Sequence, residues 1–488
     1  MLTILVRHDP SAAPALRSPR AGPRDIPALD GLRALAALGV CAYHALGLVN
    51  KRFTIFGADV TSAWYYLQTG VHLFFVLSGF LLFLPYARAI LRSAPLPSTK
   101  GFYERRALRI LPAYWVCLAT LVALHIGDYL SPAGLANVAA HVVFIQDYFP
   151  SFDRAIEGPM WTLALEAQFY LLLPLIAVGL SRVIGRSRSA RRLVAAVVGF
   201  GALAIALRAV DAAGQHALPA LAGTPALVAG VLLRATYGTQ GKFLEVFAIG
   251  MLCAVVYVAA GEDRAATSRA IQVIGIALVG VGLAADIPLA MLASTRHIDA
   301  PWYRALNDPS DLAMLCGPAL IGLTYGALLL GILWGARWLR GGFELRPLRT
   351  MGQISYSFYL WHGPALWGML PAIGSWPLLL RPVAALGISG ASYTLIERPF
   401  LRVRTRARDG IAAVNGLPTH APMVARLGAA LTHVRHVAQP ANGAGGARRI
   451  TRATPNTRSN NTSSHTRESR GETTPRPTTL SGTGTRNY

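Results

Sequence analysis

Apolar residues along this chain gather into long runs rather than the short alternations of a half-buried sheet. Runs of about 18 to 25 residues match the length an α-helix needs to cross a hydrocarbon core roughly 30 Å thick. Ten stretches read as such helices: residues 28–49, 68–88, 109–127, 161–181, 193–210, 243–260, 270–293, 312–336, 354–373 and 376–397. Two more, 134–149 and 218–233, are apolar but short or broken by proline and glycine, as re-entrant or interfacial segments are. The pattern predicts an all-α fold, a polytopic membrane helical bundle of about ten transmembrane helices.

Composition supports lipid as the bulk solvent. Of 488 residues, 53% are hydrophobic and 14% charged, against roughly 25% charged in an average soluble domain. A formal charge of +23 would suit a nucleic-acid binder, but the basic residues concentrate in short loops and the C-terminal tail. That placement is a topology signal, and no nucleic-acid partner is expected. The N-terminal tail and the loops 88–109, 182–192 and 337–349 are basic, whereas the loop after the third helix holds Asp128, Asp147, Asp153 and Glu157 against Arg154. With ten crossings, both termini face the cytoplasm of a cell (inner or plasma) membrane. Met1–Val6 is too short for a signal-peptide core, so a short retained tail is expected. Cys41, Cys117, Cys253 and Cys316 lie inside apolar runs without C-x-x-C spacing, which predicts neither a disulfide framework nor a metal site.

After Glu397 the chain changes character. Arg398, Arg402, Arg404, Arg406 and Arg408 would meet anionic lipid. Val424, Leu427, Leu431 and Val434 then fall at helical spacing among basic residues, the pattern of an amphipathic surface helix. From residue 439 onward there is almost nothing to bury, which predicts disorder. The expected divisions are a cytoplasmic tail (1–25), a transmembrane domain (26–400), a basic juxtamembrane segment (401–438) and a disordered tail (439–488).

Polar side chains inside membrane helices cost a few kcal/mol on insertion scales and mark candidate sites. The first helix carries Asp30, Arg33 and His44. The spacing from Arg33 to His44 is about three turns, so both project from one face, roughly 16 Å apart along the axis. In the second helix Ser78 and Gly79 form a small patch that admits a ligand or a neighbouring backbone. Arg106 and Arg109, in the loop leading into the third helix, share a face if helical and could clamp phosphates; positive-inside anchoring is the alternative. Glu166 sits in the first turns of the fourth helix and needs a partner if buried. In the ninth, Tyr356, Tyr359 and His362 recur every third residue as a polar-aromatic stripe. Glu397, at the end of the tenth, suits a structural ion pair with a loop arginine.

Taken in order, these motifs resemble the acyltransferase-3 family, whose members acylate O-antigen, exopolysaccharides and macrolides. The resemblance covers residues 26–400. It rests on the Arg33 to His44 spacing, Phe-Phe-Val-Leu-Ser-Gly (74–79), the Arg106/Arg109 pair, Trp-Thr-Leu-x-x-Glu (161–166), Ser-Tyr-Ser-Phe-Tyr-Leu-Trp-His (355–362) and Glu-Arg-Pro-Phe (397–400). It implies an enzyme that moves an acyl group, acetyl or another short one, from cytoplasmic acyl-CoA to a hydroxyl of a carbohydrate, glycolipid or macrolide-like acceptor. Acyl-CoA is a co-substrate, and no bound cofactor is implied. His44, Glu166 and His362 are the catalytic candidates, with His44 as general base. Arg33, Arg106, Arg109, Ser78 and Gly79 are the acyl-CoA-binding candidates. Many family members carry an extra hydrolase-like domain at the C-terminus; here the basic tail follows instead, so acceptor chemistry from such a domain is expected to be absent or to come from a partner. The competing class is a transporter or flippase of a glycan or glycolipid, since intramembrane His, Arg and Glu also build substrate pathways.

Overall fold

The computed structural model describes residues 26–48, 54–55, 58–59, 66–217, 242–261, 268–295 and 312–402. Among them the regular structure is helical apart from one short antiparallel pairing between β1 (Thr54–Ile55) and β2 (Ala58–Asp59). The main helices are α1 (Pro27–Gly47), α2 (Gly70–Arg92), α3 (Thr99–Leu124), α4 (Pro132–Val142), α5 (Met160–Ile184) and α6 (Ala190–Ala217). They continue with α7 (Leu244–Ala259), α8 (Arg269–Thr295), α9 (Leu312–Trp334), α10 (Arg337–Phe343), α11 (Arg346–Leu366) and α12 (Arg381–Ser392), which runs into a π-helical turn at Tyr393–Glu397.

Each of the ten apolar stretches overlaps a described helix, although 354–373 runs past the end of α11 at Leu366. Among the described residues, six spans are long and apolar enough to cross a membrane by length and composition: Leu67–Arg92, Thr99–Leu124, Met160–Ile184, Ala190–Asp211, Cys316–Trp334 and Leu378–Arg402. Of the broken stretches, 134–149 forms α4 and a 3-10 turn at Gln146–Tyr148. The stretch 218–233, the N-terminal tail, the amphipathic candidate around Val424 and the tail from residue 439 lie outside the described residues.

Helix boundaries correct the sequence expectation in one place that matters for function. α3 begins ten residues before the predicted 109, so Arg106 and Arg109 are helical and the basic connection shrinks to residues 93–98. Ser98 caps this earlier start, its Oγ accepting from the Gly101 N–H at 3.3 Å. The first turns of α3 are polar, which hides them from a search for apolar runs.

Lipid tails are as apolar as leucine, so helices in a bilayer associate through close packing and polar contacts rather than through water exclusion. Leu171, Leu175 and Val183 of α5 and Val273 and Val281 of α8 accordingly remain exposed on the outer surface. Inside, α2 packs closely on α7 and α1 on α11. Gly79 and Gly250 set the first of these contacts: a Cβ on Gly79 would collide with the Phe247 carbonyl, and one on Gly250 with that of Val76. Gly79 therefore serves the α2–α7 packing, the alternative that small residues always leave open.

A buried polar clasp holds the segment before α5 in place. Lys242 Nζ donates to Asp147 Oδ2 and to Gln168 Oε1, both at 2.7 Å. Gln168 Nε2 in turn donates to Asp147 Oδ1 at 2.7 Å, and the ammonium stands 3.8 Å from the centre of the Tyr148 ring. With its hydrogen bonds closed on one another, this charge pair can be tolerated in a low-dielectric interior.

Candidate active site

The sequence-predicted residues separate into two groups at different levels of α1. Arg33 lines a narrow cavity of about 70 Å³ together with Ser78 of α2, Arg106 and Arg109 of α3, and Glu166 and Tyr170 of α5. Ser78 Oγ donates to Glu166 Oε1 at 2.6 Å, and the Arg106 guanidinium lies 5.9 Å from the Tyr170 ring centre. Arg109 Nη1 stands 3.7 Å from Glu397 Oε1, so the predicted ion-pair partner of Glu397 is an arginine, carried on a helix rather than a loop. Glu397 Oε2 also accepts from Ser357 Oγ at 3.1 Å. The wider π turn that carries Glu397 interrupts the helix, which continues beyond it as far as residue 402, the kind of helix irregularity that recurs at functional sites. Gly79 is absent from the lining, consistent with its packing against α7.

The second group forms around His44, near the C-terminal end of α1. His44 Nδ1 lies 3.0 Å from His362 Nε2 of α11, and His362 Nδ1 lies 2.8 Å from the Tyr359 carbonyl oxygen. A carbonyl can only accept, so His362 carries its proton on Nδ1 and, when neutral, presents a lone pair at Nε2. That lone pair requires the proton of His44 on Nδ1. The remaining ring nitrogen, His44 Nε2, is then an unprotonated acceptor, the form a general base or nucleophile needs. Glu166, grouped with the histidines by sequence, is instead tied to Ser78 in the arginine cavity.

Tyr359 connects the two groups. Its hydroxyl is 2.8 Å from Thr162 Oγ1, both residues line the arginine cavity, and its ring stands 5.4 Å from that of His362. Tyr356, its neighbour in the stripe, also lines the cavity and donates to the Ile110 carbonyl at 2.8 Å. On the other side, His44 is bracketed by Tyr43 and by the edge of Trp367, with ring centres 5.2 and 5.3 Å away. Arg381 fastens the turn that carries Trp367, donating from Nη1 to the Leu366 carbonyl and from Nη2 to that of Gly374, both at 2.7 Å.

Sequence reasoning missed Glu157, counting it only as an acid of a polar loop. It lies outside the apolar spans, is 1% exposed, and neither carboxyl oxygen has a hydrogen-bond partner among the described residues. Its Oε1 occupies the space beside the α-carbon of Gly363, the residue after His362. Burial pushes this carboxyl well above its ordinary value. A folded-state pKa above the unfolded one favours the neutral acid in the fold. The associated stability is therefore full below the unfolded value of 4.5 and lost as pH rises through the folded one. Glu157→Gln is expected to flatten this loss. Thermal unfolding in detergent between about pH 5 and about 9 should show the variant gaining on the wild type as pH rises; parallel curves would mean that the carboxyl is not held neutral.

Comparison with known proteins agrees with these motifs. The family model described as "Acyltransferase domain" matches residues 26–396. YrhL of Bacillus subtilis, provisionally described as a peptidoglycan O-acetyltransferase, is 28% identical over 77% of this chain and 55% of its own length. The peptidoglycan O-acetyltransferase OatA of Listeria monocytogenes is 25% identical over 78% of this chain and 57% of its own. An O-acetyltransferase of Staphylococcus aureus strain COL, also provisionally named, is 24% identical over 84% and 62%. The chain thus spans less than two thirds of the length of these relatives, and no solved structure matches it. With the motifs in order and the family model covering the region that holds both residue groups, the chain belongs to the acyltransferase-3 family.

Proposed function

We propose that this protein is a membrane O-acyltransferase that moves an acetyl or similarly short acyl group from acyl-CoA to a hydroxyl of a cell-envelope carbohydrate. The observation that carries the reading is the His44–His362 hydrogen bond at 3.0 Å, in which His44 shares α1 with Arg33 but lies about three turns away from it. An anion-attracting cavity at one level and a base at the other suit a long donor with charge at one end and a thioester at the other. The peptidoglycan O-acetyltransferases among the relatives support the choice of acceptor class.

In this mechanism the acceptor hydroxyl meets His44 Nε2, which takes its proton as the oxygen attacks the thioester carbonyl carbon. A C–O bond forms, the C–S bond breaks, and the proton passes from His44 to the departing thiolate. His362 Nε2 strengthens its hydrogen bond to His44 Nδ1–H while the imidazolium exists. Ser78 orients Glu166, and Arg33, Arg106 and Arg109 supply positive charge along the donor's path. Tyr359 and Thr162 form the partition that the acyl end must pass. The arginine level faces the cytoplasm of the inner or plasma membrane, where acyl-CoA is available.

The test is transfer of labelled acetyl from acetyl-CoA in membranes holding the wild type or His44→Ala at matched expression. Alkali-labile label in a glycan or glycolipid, lost in the variant, is the expected result. No transfer by either chain to glycan acceptors, together with solute movement across liposomes, would replace this reading with the transporter one.

A further inference from the structure

The 70 Å³ cavity is too small for the nucleotide half of coenzyme A, since small-molecule sites generally measure about 300–1,000 Å³. Its charges are also partly committed: Arg109 stands against Glu397, and Glu166 lies within Coulombic reach of Arg33. A second cavity, of about 320 Å³, adjoins it and shares Arg33 and Leu81. Arg88 of α2, Arg349 and Gln353 of α11, and Asp30 of α1 stand around it, so three arginines meet one acid. Gly352 allows this convergence, because its α-carbon packs directly on the Asp30 backbone and brings the first turns of α11 against α1. Arg349 Nε is buried without a hydrogen-bond partner among the described residues, and a buried donor left open asks for an acceptor.

We propose that Arg88 and Arg349 hold the phosphates of the donor's nucleotide in this outer cavity, while the narrow inner one takes only the linear thioester-bearing arm. The proposal rests on the acyl-CoA reading above and deepens it. Two guanidiniums on different helices present forked donors to a diphosphate, the geometry that favours arginine over lysine at phosphate sites. The inner arginines then face the arm and its carbonyls, and Arg33 is the arginine that borders both compartments.

The experiment measures CoA binding to the full chain in lipid nanodiscs by calorimetry over a range of salt concentrations. It compares the wild type with Arg88→Gln, Arg349→Gln and the control Arg346→Gln, which removes a neighbouring exposed arginine outside the cavity. Thermal unfolding verifies that each chain is folded. The expected result is at least about a tenfold rise in Kd for each cavity variant, with a shallower salt dependence, and little change for the control. If the wild type binds CoA and the cavity variants weaken it no more than the control does, the phosphates lie elsewhere; the proposal falls and the donor reading stands. If the folded wild type does not bind CoA at all, the donor reading fails first and takes this proposal with it.

Discussion

Replacing His44 with alanine is expected to lower kcat/KM for acyl transfer by about 10²–10⁴-fold, the usual contribution of a positioned general base, while leaving the protein folded. The hydrogen-bond chain Tyr359 C=O, His362, His44 gives the two histidines unequal roles. Both ring nitrogens of His362 are engaged, one by a backbone carbonyl and one by His44, so it has no lone pair left for a substrate. His44 keeps Nε2 free. His362→Leu removes the acceptor that fixes the His44 tautomer and is expected to cost less, about 10–10²-fold, within the range for a residue supporting a base. His362→Gln, whose amide oxygen can accept from His44 Nδ1–H, should recover part of that loss. Steady-state rates with acetyl-CoA and a fixed acceptor make the comparison. Full activity in His44→Ala, or a loss in His362→Leu that exceeds it, would reverse the assignment.

How much of this was legible in the sequence depends on the range of the interaction concerned. The common face of Arg33 and His44 is local helical geometry, and α1 spans both residues without a break. The Tyr359–His362 contact is local in the same way. The partner of His44 is not: His362 lies 318 positions away, and no periodicity within one helix can say which neighbour it meets. The same limit separated Glu166 from the histidines, because its partner Ser78 is 88 positions away. Glu157 was invisible for another reason. An acid in a polar loop carries a topological meaning, and only tertiary packing of Gly363 against its side chain reveals that it is buried. The early start of α3 was within reach, since Pro95 and Pro97 followed by Ser98 form a stop and a cap ahead of a helix whose first turns are polar.

The Arg109–Glu397 pair should show the largest effect on stability. Its carboxylate is fully buried and the guanidinium largely so, and it ties α3 to the π turn after α12, with Ser357 of α11 as a third partner. Removing one member of a buried pair leaves the other charge uncompensated, which costs about 3–5 kcal/mol, whereas replacing both with uncharged groups of similar size is often near neutral. Arg109→Ala is therefore expected to lower the unfolding temperature strongly, and Arg109→Met combined with Glu397→Gln to restore most of it. The buried thiols Cys41, Cys117 and Cys253 give a direct readout, since a thiol-reactive fluorophore reports their exposure on heating. Donor kinetics then separate the two roles that geometry gives Arg109. A double variant that regains stability but keeps a raised KM for acyl-CoA would show that the guanidinium meets the donor as well as Glu397. A double variant no more stable than Arg109→Ala would mean that the pair does not act as a neutralised unit, and that Arg109 stabilises the bundle through its packing on α3 alone.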